Sequence, residues 1–251
     1  MSEESWSLTR RLTLSGPVCR RTGGTVESQL LAAMIEATPG ERLAELGAGC
    51  AATSLIVADR SPGIHLDALE LQPLLVQHAQ ENVIRNNLTA TLHVWCGNVR
   101  TPPADMPPGG YQQVFFNPPF FRPDAGRLPP DPVRAMARFE IAATWIDFVA
   151  CAKHLLAPGG HCHMVHRPER WPEIPGVLSR HGLTPWRLFR VHPRPALPVA
   201  LVLISATKGV TTRPAAPLQD LSLFLTGHPT DTLPLSQWLF EGLPLNRQFF
   251  G

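Results

Sequence analysis

Lysine is nearly absent from this chain: of 22 basic residues, only Lys153 and Lys208 are lysines. Charged residues make up 17% of the 251 positions and the formal net charge is +2, which excludes a polybasic arm and a purely electrostatic nucleic-acid binder. What basic character there is comes from arginine, whose planar fork suits phosphate, so a local RNA-binding patch stays open. A GC-rich coding bias accounts for the arginines equally well. Long apolar runs are missing too. The longest, residues 197–204, contains a proline and falls far short of the ~18 residues needed to cross a bilayer. Residues 1–13 are polar and mixed in charge, so no export signal is expected. The five cysteines are odd in number and form no CxxC pair, which points to a reduced, cytoplasmic compartment. Long disorder is disfavoured by a hydrophobic content of 44%. Proline, in contrast, is abundant: 27 residues, clustered at 101–108, 118–132 and 193–198, imply stiff loops.

The apolar periodicity alternates between strand-like and helix-like. Strands are expected at 42–46, 65–71, 91–95, 113–116 and 161–166. Helices are expected from the glycine turn after residue 46 to about 58, and at 74–87, 133–156 and 173–181. Residues 186–191 and 200–206 read as a closing antiparallel pair. This order predicts an α/β, Rossmann-like fold with a mainly parallel seven-stranded sheet and an antiparallel closing strand. One domain is expected over 1–251: an N-terminal leading segment at 1–39, a core at 40–209 and a C-terminal extension at 210–251.

Two constellations carry chemistry. In the first, Glu45-Leu46-Gly47-Ala48-Gly49-Cys50-Ala51 lies where a strand turns into a helix. Glycines there let the backbone pass close under a ligand, and the helix start adds exposed amides. Glu70 ends the second strand, at the height of a ribose hydroxyl in a doubly wound sheet. A dinucleotide site would want a third glycine where Ala51 stands, so the pattern favours a nucleoside cofactor without a diphosphate, such as S-adenosylmethionine. A plain strand-to-helix turn would leave the same glycines.

The second constellation, Asn117-Pro118-Pro119-Phe120, directly follows the apolar run 114–116. The prolines hold the chain extended and remove two donors, leaving the Asn117 amide oxygen and the Pro118 carbonyl as acceptors beside the Phe120 ring. That set suits a planar group bearing an exocyclic amine. Such a nitrogen is a poor nucleophile because its lone pair is delocalised. Two acceptors gripping its hydrogens aim that pair at a methyl donor, so transfer rests on positioning. Phe120, with Phe121, would stack on a base.

These runs, with Ala68–Pro73 and Gly97-Asn98-Val99, resemble class I S-adenosylmethionine-dependent methyltransferases of the amino-group type, and most of all the bacterial tRNA1(Val) adenine-N6 methyltransferase family. Leu30-Leu31-Ala32-Ala33, Arg134–Glu140 and His166-Arg167-Pro168-Glu169-Arg170 support the closer likeness, which covers residues 22–209. The resemblance implies that Glu45, Gly47 and Gly49 shape the cofactor pocket, that Glu70 holds the ribose hydroxyls, that Asn98 lies near the adenine, and that Leu71, Val99 and Asn117 also bind the cofactor. It further implies Asn117 as the catalytic amide with Pro118 and Phe120 beside it, and RNA, most of all tRNA, as the partner. Asn98 stands where the family has aspartate, Glu27 where it has aspartate, and Ala51 where it often has glycine.

Arg122, Arg127, Arg134 and Arg138 follow the second motif, and Arg122 and Arg138 are candidate RNA contacts beside Phe120 and Phe121. A solvated loop explains them equally well, as it does Arg10, Arg11, Arg20 and Arg21. Zinc is not expected: along a strand His161 and His163 share one face and Cys162 points to the other. Cys96 and Cys151 read as buried thiols, and Trp145, Trp186 and Phe189 as packing residues. Guanine-N2 methylation in rRNA, glutamine-N5 methylation of a protein, and a non-catalytic RNA- or partner-binding role remain alternatives. Nothing in the sequence specifies an oligomeric state.

Overall fold

The computed structural model describes residues 5–17, 19, 24–195, 197–209, 218–223 and 239–245. A hairpin of β1 (Ser5–Ser7) and β2 (Thr13–Ser15) precedes α1 (Val26–Met34). Then come β3 (Arg42–Leu46), α2 (Ala52–Arg60), β4 (His65–Glu70), α3 (Pro73–Arg85) and β5 (Leu92–Cys96). The second half runs β6 (Tyr111–Phe116), α4 (Pro132–Arg138), α5 (Trp145–Leu155), β7 (Leu156–His166), α6 (Ile174–Arg180), β8 (Leu183–His192), β9 (Leu201–Lys208) and β10 (Leu218–Ser222).

Eight strands make one sheet in the order β10-β8-β9-β7-β6-β3-β4-β5. Only β9 runs against its neighbours β7 and β8; the other pairings are parallel. The expected Rossmann-like α/β fold and its antiparallel closing pair are therefore present. The expected count of seven strands is corrected to eight, because β10 adds to the outer edge of β8 from a region whose sequence carries no clear period.

Side chains alternate across the pleat and feed two cores. Leu43 and Phe115 face the layer of α1, α2 and α3. Ala44, Leu46, Val114 and Phe116 face the layer of α5 and α6. With both faces covered, the central strands bury residues on both sides: Leu43, Ala44, Glu45 and Leu46 are consecutive buried positions in β3. The α3 helix opens on Pro73 and buries Leu75, Val76, Ala79, Asn82 and Val83, the spacing of one helix face. Buried Asn82 is satisfied: its amide oxygen accepts from Ser15 N at 2.8 Å and its nitrogen donates to Cys50 O at 3.4 Å. Asn86 similarly accepts from Thr13 N and donates to Thr13 O, so two asparagines dock the hairpin on α3.

Three further expectations are corrected. The helix expected at 133–156 is broken between α4 and α5, because Phe121 competes for its backbone: Phe121 N donates to Arg138 O at 3.0 Å and Glu140 N donates to Phe121 O at 2.8 Å. Thr144 then starts α5 with a capping box to Asp147. The helix expected to run to 156 ends at Leu155, and Leu156 already opens β7, in which residues 158–160 lie where the strand bulges between the Tyr111–Leu156 and Gln113–His161 pairings. The cysteines are not all thiols: Cys19 and Cys50, 31 positions apart, are joined by a disulfide. No spacing motif marks that pair, since folding alone brings the leading segment over the glycine loop. Cys151 is buried as expected, whereas Cys96 is exposed.

Candidate active site

The strand order reverses where β3 lies between β4 and β6, and doubly wound sheets bind ligands beyond the carboxyl ends of strands at such a point. Here those ends carry the glycine loop, Glu70 and Asn117. Gly47 N and Ala48 N donate to Leu69 O at 2.8 and 3.0 Å, folding the loop back over β4. Gly47, Gly49 and Ala51 adopt φ of 68°, 58° and 63°. Glycine takes that left-handed conformation freely, and Ala51 adopts it at a cost of ~1–2 kcal/mol. A Cβ at Gly47 would lie 2.9 Å from Phe148 Cε1, while one at Gly49 would meet nothing within 4 Å. The first glycine is thus needed for packing and the second borders open space.

Two carboxylates brace the loop. Glu45, 3% exposed, accepts from Ser54 N at 3.0 Å and from Ser54 Oγ, tying β3 to the start of α2. Burial pushes its carboxyl up to about 7, against the pull of its hydrogen bonds from Ser54 and Thr53. Glu70 accepts from Gly49 N at 2.8 Å on one oxygen and from Gln72 N at 2.9 Å on the other. Burial raises its pKa, and those amides oppose the rise.

A cleft runs along these groups. Glu45, Gly47, Gly49, Glu70, Leu71 and Asn98 line it, together with Val99 and Asn117. Asn98 accepts from Arg100 N at 2.9 Å, which closes a tight turn. The sequence reading missed Ser28, Thr53 and Phe148, which also line the cleft. Phe148 lies on α5, far away in sequence, and no motif signals it.

A second hollow opens on the other side of Asn117. Asn117, Pro118 and Phe120 line it with Glu27, Arg138 and Arg167. Thr25 and Arg134 complete the polar part of its wall. Asn117 lines both spaces, and its Oδ1 is buried with no hydrogen-bond partner among the described residues. An unsatisfied buried acceptor costs ~1–3 kcal/mol, so this amide is held ready for a donor from outside. The Phe120 ring packs with His166, at 5.4 Å between centroids, and under the Arg167 guanidinium, at 5.3 Å.

Not every candidate converges there. Phe121 packs on Phe139 at 5.5 Å, and Arg122 reaches Glu173 at 3.0 Å; neither lines the cleft or the hollow. Arg10 and Arg11 pair with Glu241 and Asp59, while Arg20 and Arg21 lie outside the described residues. Arg170 pairs with the buried side chain of Glu140 at 2.7 Å and with the partly exposed one of Glu173 at 3.1 Å. His161 and His163 hydrogen-bond Thr207 and Ser205 across β9, and no cluster of metal-ligating side chains occurs among the described residues.

The family model described as methyltransferase small domain matches residues 24–173, more than half of the chain. The chain belongs to this family. The methyltransferase is 25% identical over 191 residues to a tRNA1(Val) (adenine(37)-N6)-methyltransferase from Yersinia pseudotuberculosis, covering 76% of this chain and 74% of that one. Among solved structures it is similar to a protein described as a predicted O-methyltransferase from Agrobacterium tumefaciens, with TM-score 0.70, 21% identity and coverage of 87% and 97%. It is also similar to geranyl diphosphate C-methyltransferase from Streptomyces coelicolor A3(2) in complex with Mg2+, geranyl diphosphate and S-adenosyl-L-homocysteine, with TM-score 0.50, 11% identity and coverage of 71% and 76%. These two likenesses show the shared fold.

S-adenosylmethionine is the methyl donor of the methyltransferase, and the cleft fits it. The Gly49 and Gln72 N–H groups donate to one Glu70 oxygen each and Leu71 adds a third bond, which leaves room among a carboxylate's roughly four lone-pair sites for a hydroxyl donor. The space beside Gly49 is open, and the orphan Asn117 Oδ1 stands at the far end. Among the described residues no helix is long and apolar enough to cross a membrane.

Proposed function

We propose that this methyltransferase places a methyl group on the exocyclic N6 of an adenine in tRNA. The observation that carries the reading is the buried, partnerless Asn117 Oδ1 between a nucleoside-sized cleft and a hollow walled by an aromatic ring and guanidinium groups. The name of the Yersinia relative supports the choice of tRNA and adenine.

When bound, S-adenosylmethionine supplies an electrophilic methyl on a sulfonium. Glu70 accepts from the ribose hydroxyls, Leu71, Asn98 and Val99 enclose the adenine end, and Gly47 and Gly49 let the backbone pass beneath. On the substrate side Asn117 Oδ1 and the Pro118 carbonyl accept the two amine hydrogens. Their pull draws the nitrogen toward tetrahedral geometry and points its lone pair at the cleft. Phe120 offers a face for the base, and Arg138 offers charge to the backbone. Asn117 withdraws no proton; it aims, and as the methyl's bond to sulfur breaks and S-adenosylhomocysteine departs, the methylated nitrogen sheds one proton to water. An RNA substrate of this kind places the work in the cytoplasm.

The test is transfer of labelled methyl to total RNA, followed by nucleoside mass spectrometry. N6-methyladenosine is the expected product. Asn117→Ala is expected to lower the rate by ~100–1,000-fold, the scale of losing one preorganised polar group, with binding of S-adenosylhomocysteine within about threefold of wild type. Label in N2-methylguanosine or in protein glutamine would replace the assigned substrate, and an active Asn117→Ala variant would remove the assigned role.

A further inference from the structure

Arg167 was noticed in the sequence only as part of a run after a strand, and the proposed reaction above uses it nowhere. In the structure its guanidinium lies over the Phe120 ring, Cζ 5.3 Å from the centroid. Planar groups stacked on an aromatic ring have centroids ~4.5–7 Å away, so the guanidinium occupies the seat that a base on that face of Phe120 would take. His166 also packs on the Phe120 ring, at 5.4 Å between centroids. His166 is itself held, because its Nδ1 accepts from Arg167 N at 2.8 Å and its ring packs edge-on against Trp145. A base stacking on the face that Arg167 covers has to displace the guanidinium.

The contacts that keep Arg167 there are few. Nη2 is 4.0 Å from Glu27 Oε1, the limit of an ion pair, and Nη1 donates to Ala200 O at 3.2 Å. Its Nε is buried without a hydrogen-bond partner among the described residues. A guanidinium in this state gains by moving onto a phosphate, which accepts two parallel N–H bonds in charge-assisted geometry. The hollow already has the right sign: Arg134, Arg138 and Arg167 line it against the single carboxylate of Glu27.

We infer that Arg167 is a positioning residue for the target nucleotide: its guanidinium stacks on Phe120 in the free protein, yields that face to the incoming base, and takes hold of a phosphate flanking it. The inference rests on the reading of the chain as an RNA methyltransferase, and it adds the residue that couples seating of the base to grip on the backbone. Glu27 is the counter-charge that parks the guanidinium until then.

The experiment compares wild type with Arg167→Ala, Arg167→Lys and Glu27→Gln. Binding of a fluorescent RNA hairpin with an unpaired loop adenine is measured by anisotropy in the presence of S-adenosylhomocysteine, across a salt series. Steady-state methylation of the same hairpin is measured in parallel. Arg167→Ala is expected to raise the hairpin Kd and KM about tenfold, change kcat less than threefold, and flatten the log Kd–log salt slope by ~0.7, the value for one lost contact to a single-stranded phosphate. Arg167→Lys keeps the charge, so it should restore the slope while recovering only part of the affinity. Glu27→Gln should tighten binding, since the parked state loses its ion pair. Affinity for S-adenosylhomocysteine should not change, because neither residue lines the cofactor cleft.

Wild-type Kd and salt slope in both Arg167 variants overturn the inference. So does a loss confined to melting temperature and active fraction, the mark of a merely structural role. If Arg167→Ala fails to fold, Arg167→Lys decides through its affinity and slope. Should wild type bind the hairpin but transfer no methyl to any RNA, the proposed substrate falls, while the binding series still judges Arg167.

Discussion

Gly47 and Gly49 sit two residues apart in one loop, with nearly the same positive φ, yet alanine at each should fail differently. Both substitutions force a side chain into the left-handed region, at ~1–2 kcal/mol. At Gly47 the new Cβ also comes 2.9 Å from Phe148 Cε1. That ring is buried and packs on Phe116 at 5.7 Å, so it has little room to withdraw. Overpacking of this kind costs a further ~1–3 kcal/mol, giving a total loss of about 3 kcal/mol. For a chain of this size that lowers Tm by about 6–12 °C. At Gly49 the Cβ meets nothing within 4 Å, so only the backbone cost remains, about 1 kcal/mol and a few degrees. The order reverses for ligand affinity. In the proposed reading the cofactor passes through the space at Gly49, so Gly49→Ala should weaken S-adenosylhomocysteine binding at least tenfold, equivalent to ~1.4 kcal/mol. Differential scanning calorimetry and isothermal titration calorimetry on the two variants make the comparison. Unchanged affinity in Gly49→Ala would refute the placement of the cofactor against that glycine, whatever the stabilities.

Three other outcomes are expected. The Glu45 carboxyl titrates near 7 in the folded chain against 4.5 ordinarily. The native state therefore holds a proton that the unfolded state releases, so the contribution is full below about 4.5 and is lost as pH rises to about 7. The loss is about 3 kcal/mol at most, and chemical denaturation should show Glu45→Gln with a flatter stability profile across that window. Breaking the Arg170–Glu140 pair, whose side chains are only 10% and 6% exposed, leaves one buried charge uncompensated. Arg170→Met should destabilise by ~3–5 kcal/mol in denaturant titrations, and the double variant with Glu140→Leu should recover much of that. Thiol titration of the unfolded, unreduced protein should find three free cysteines and two more after reduction. Reduction should cost about 3.5 kcal/mol by loop entropy, and five thiols without reductant would refute the Cys19–Cys50 bond.

The parallel core was legible because both faces of the sheet are covered, which makes the end of β6 an unbroken apolar run and fills β3 with Leu43, Ala44 and Leu46. Helix α3 announced itself through its buried spacing and its leading proline. The break between α4 and α5 was hidden. An apolar period continues through 139–144, and only the long-range pairing of Phe121 with Phe139 takes the backbone away from the helix. The last strand was hidden as well, because an edge strand beside β8 needs no clear alternation to pair. In the site, the short motifs at 45–51 and 117–120 lie at neighbouring strand ends and border one cleft. Phe148, Ser28 and Thr25 come from other elements and share no spacing with those motifs.

Local chemistry was written in the sequence itself: glycines where the backbone must turn left-handed, an acidic residue at a strand's end, and an amide followed by two imino acids. Those properties depend on neighbours within a few bonds, so order along the chain was enough to specify them. Tertiary structure alone decided that the Asn117 oxygen has no partner among the described residues, that Arg167 covers Phe120, that Arg122 turns away to Glu173, and that two distant cysteines meet. Each of these is a contact between segments brought together by burial of the two cores, and burial has no direction along the sequence.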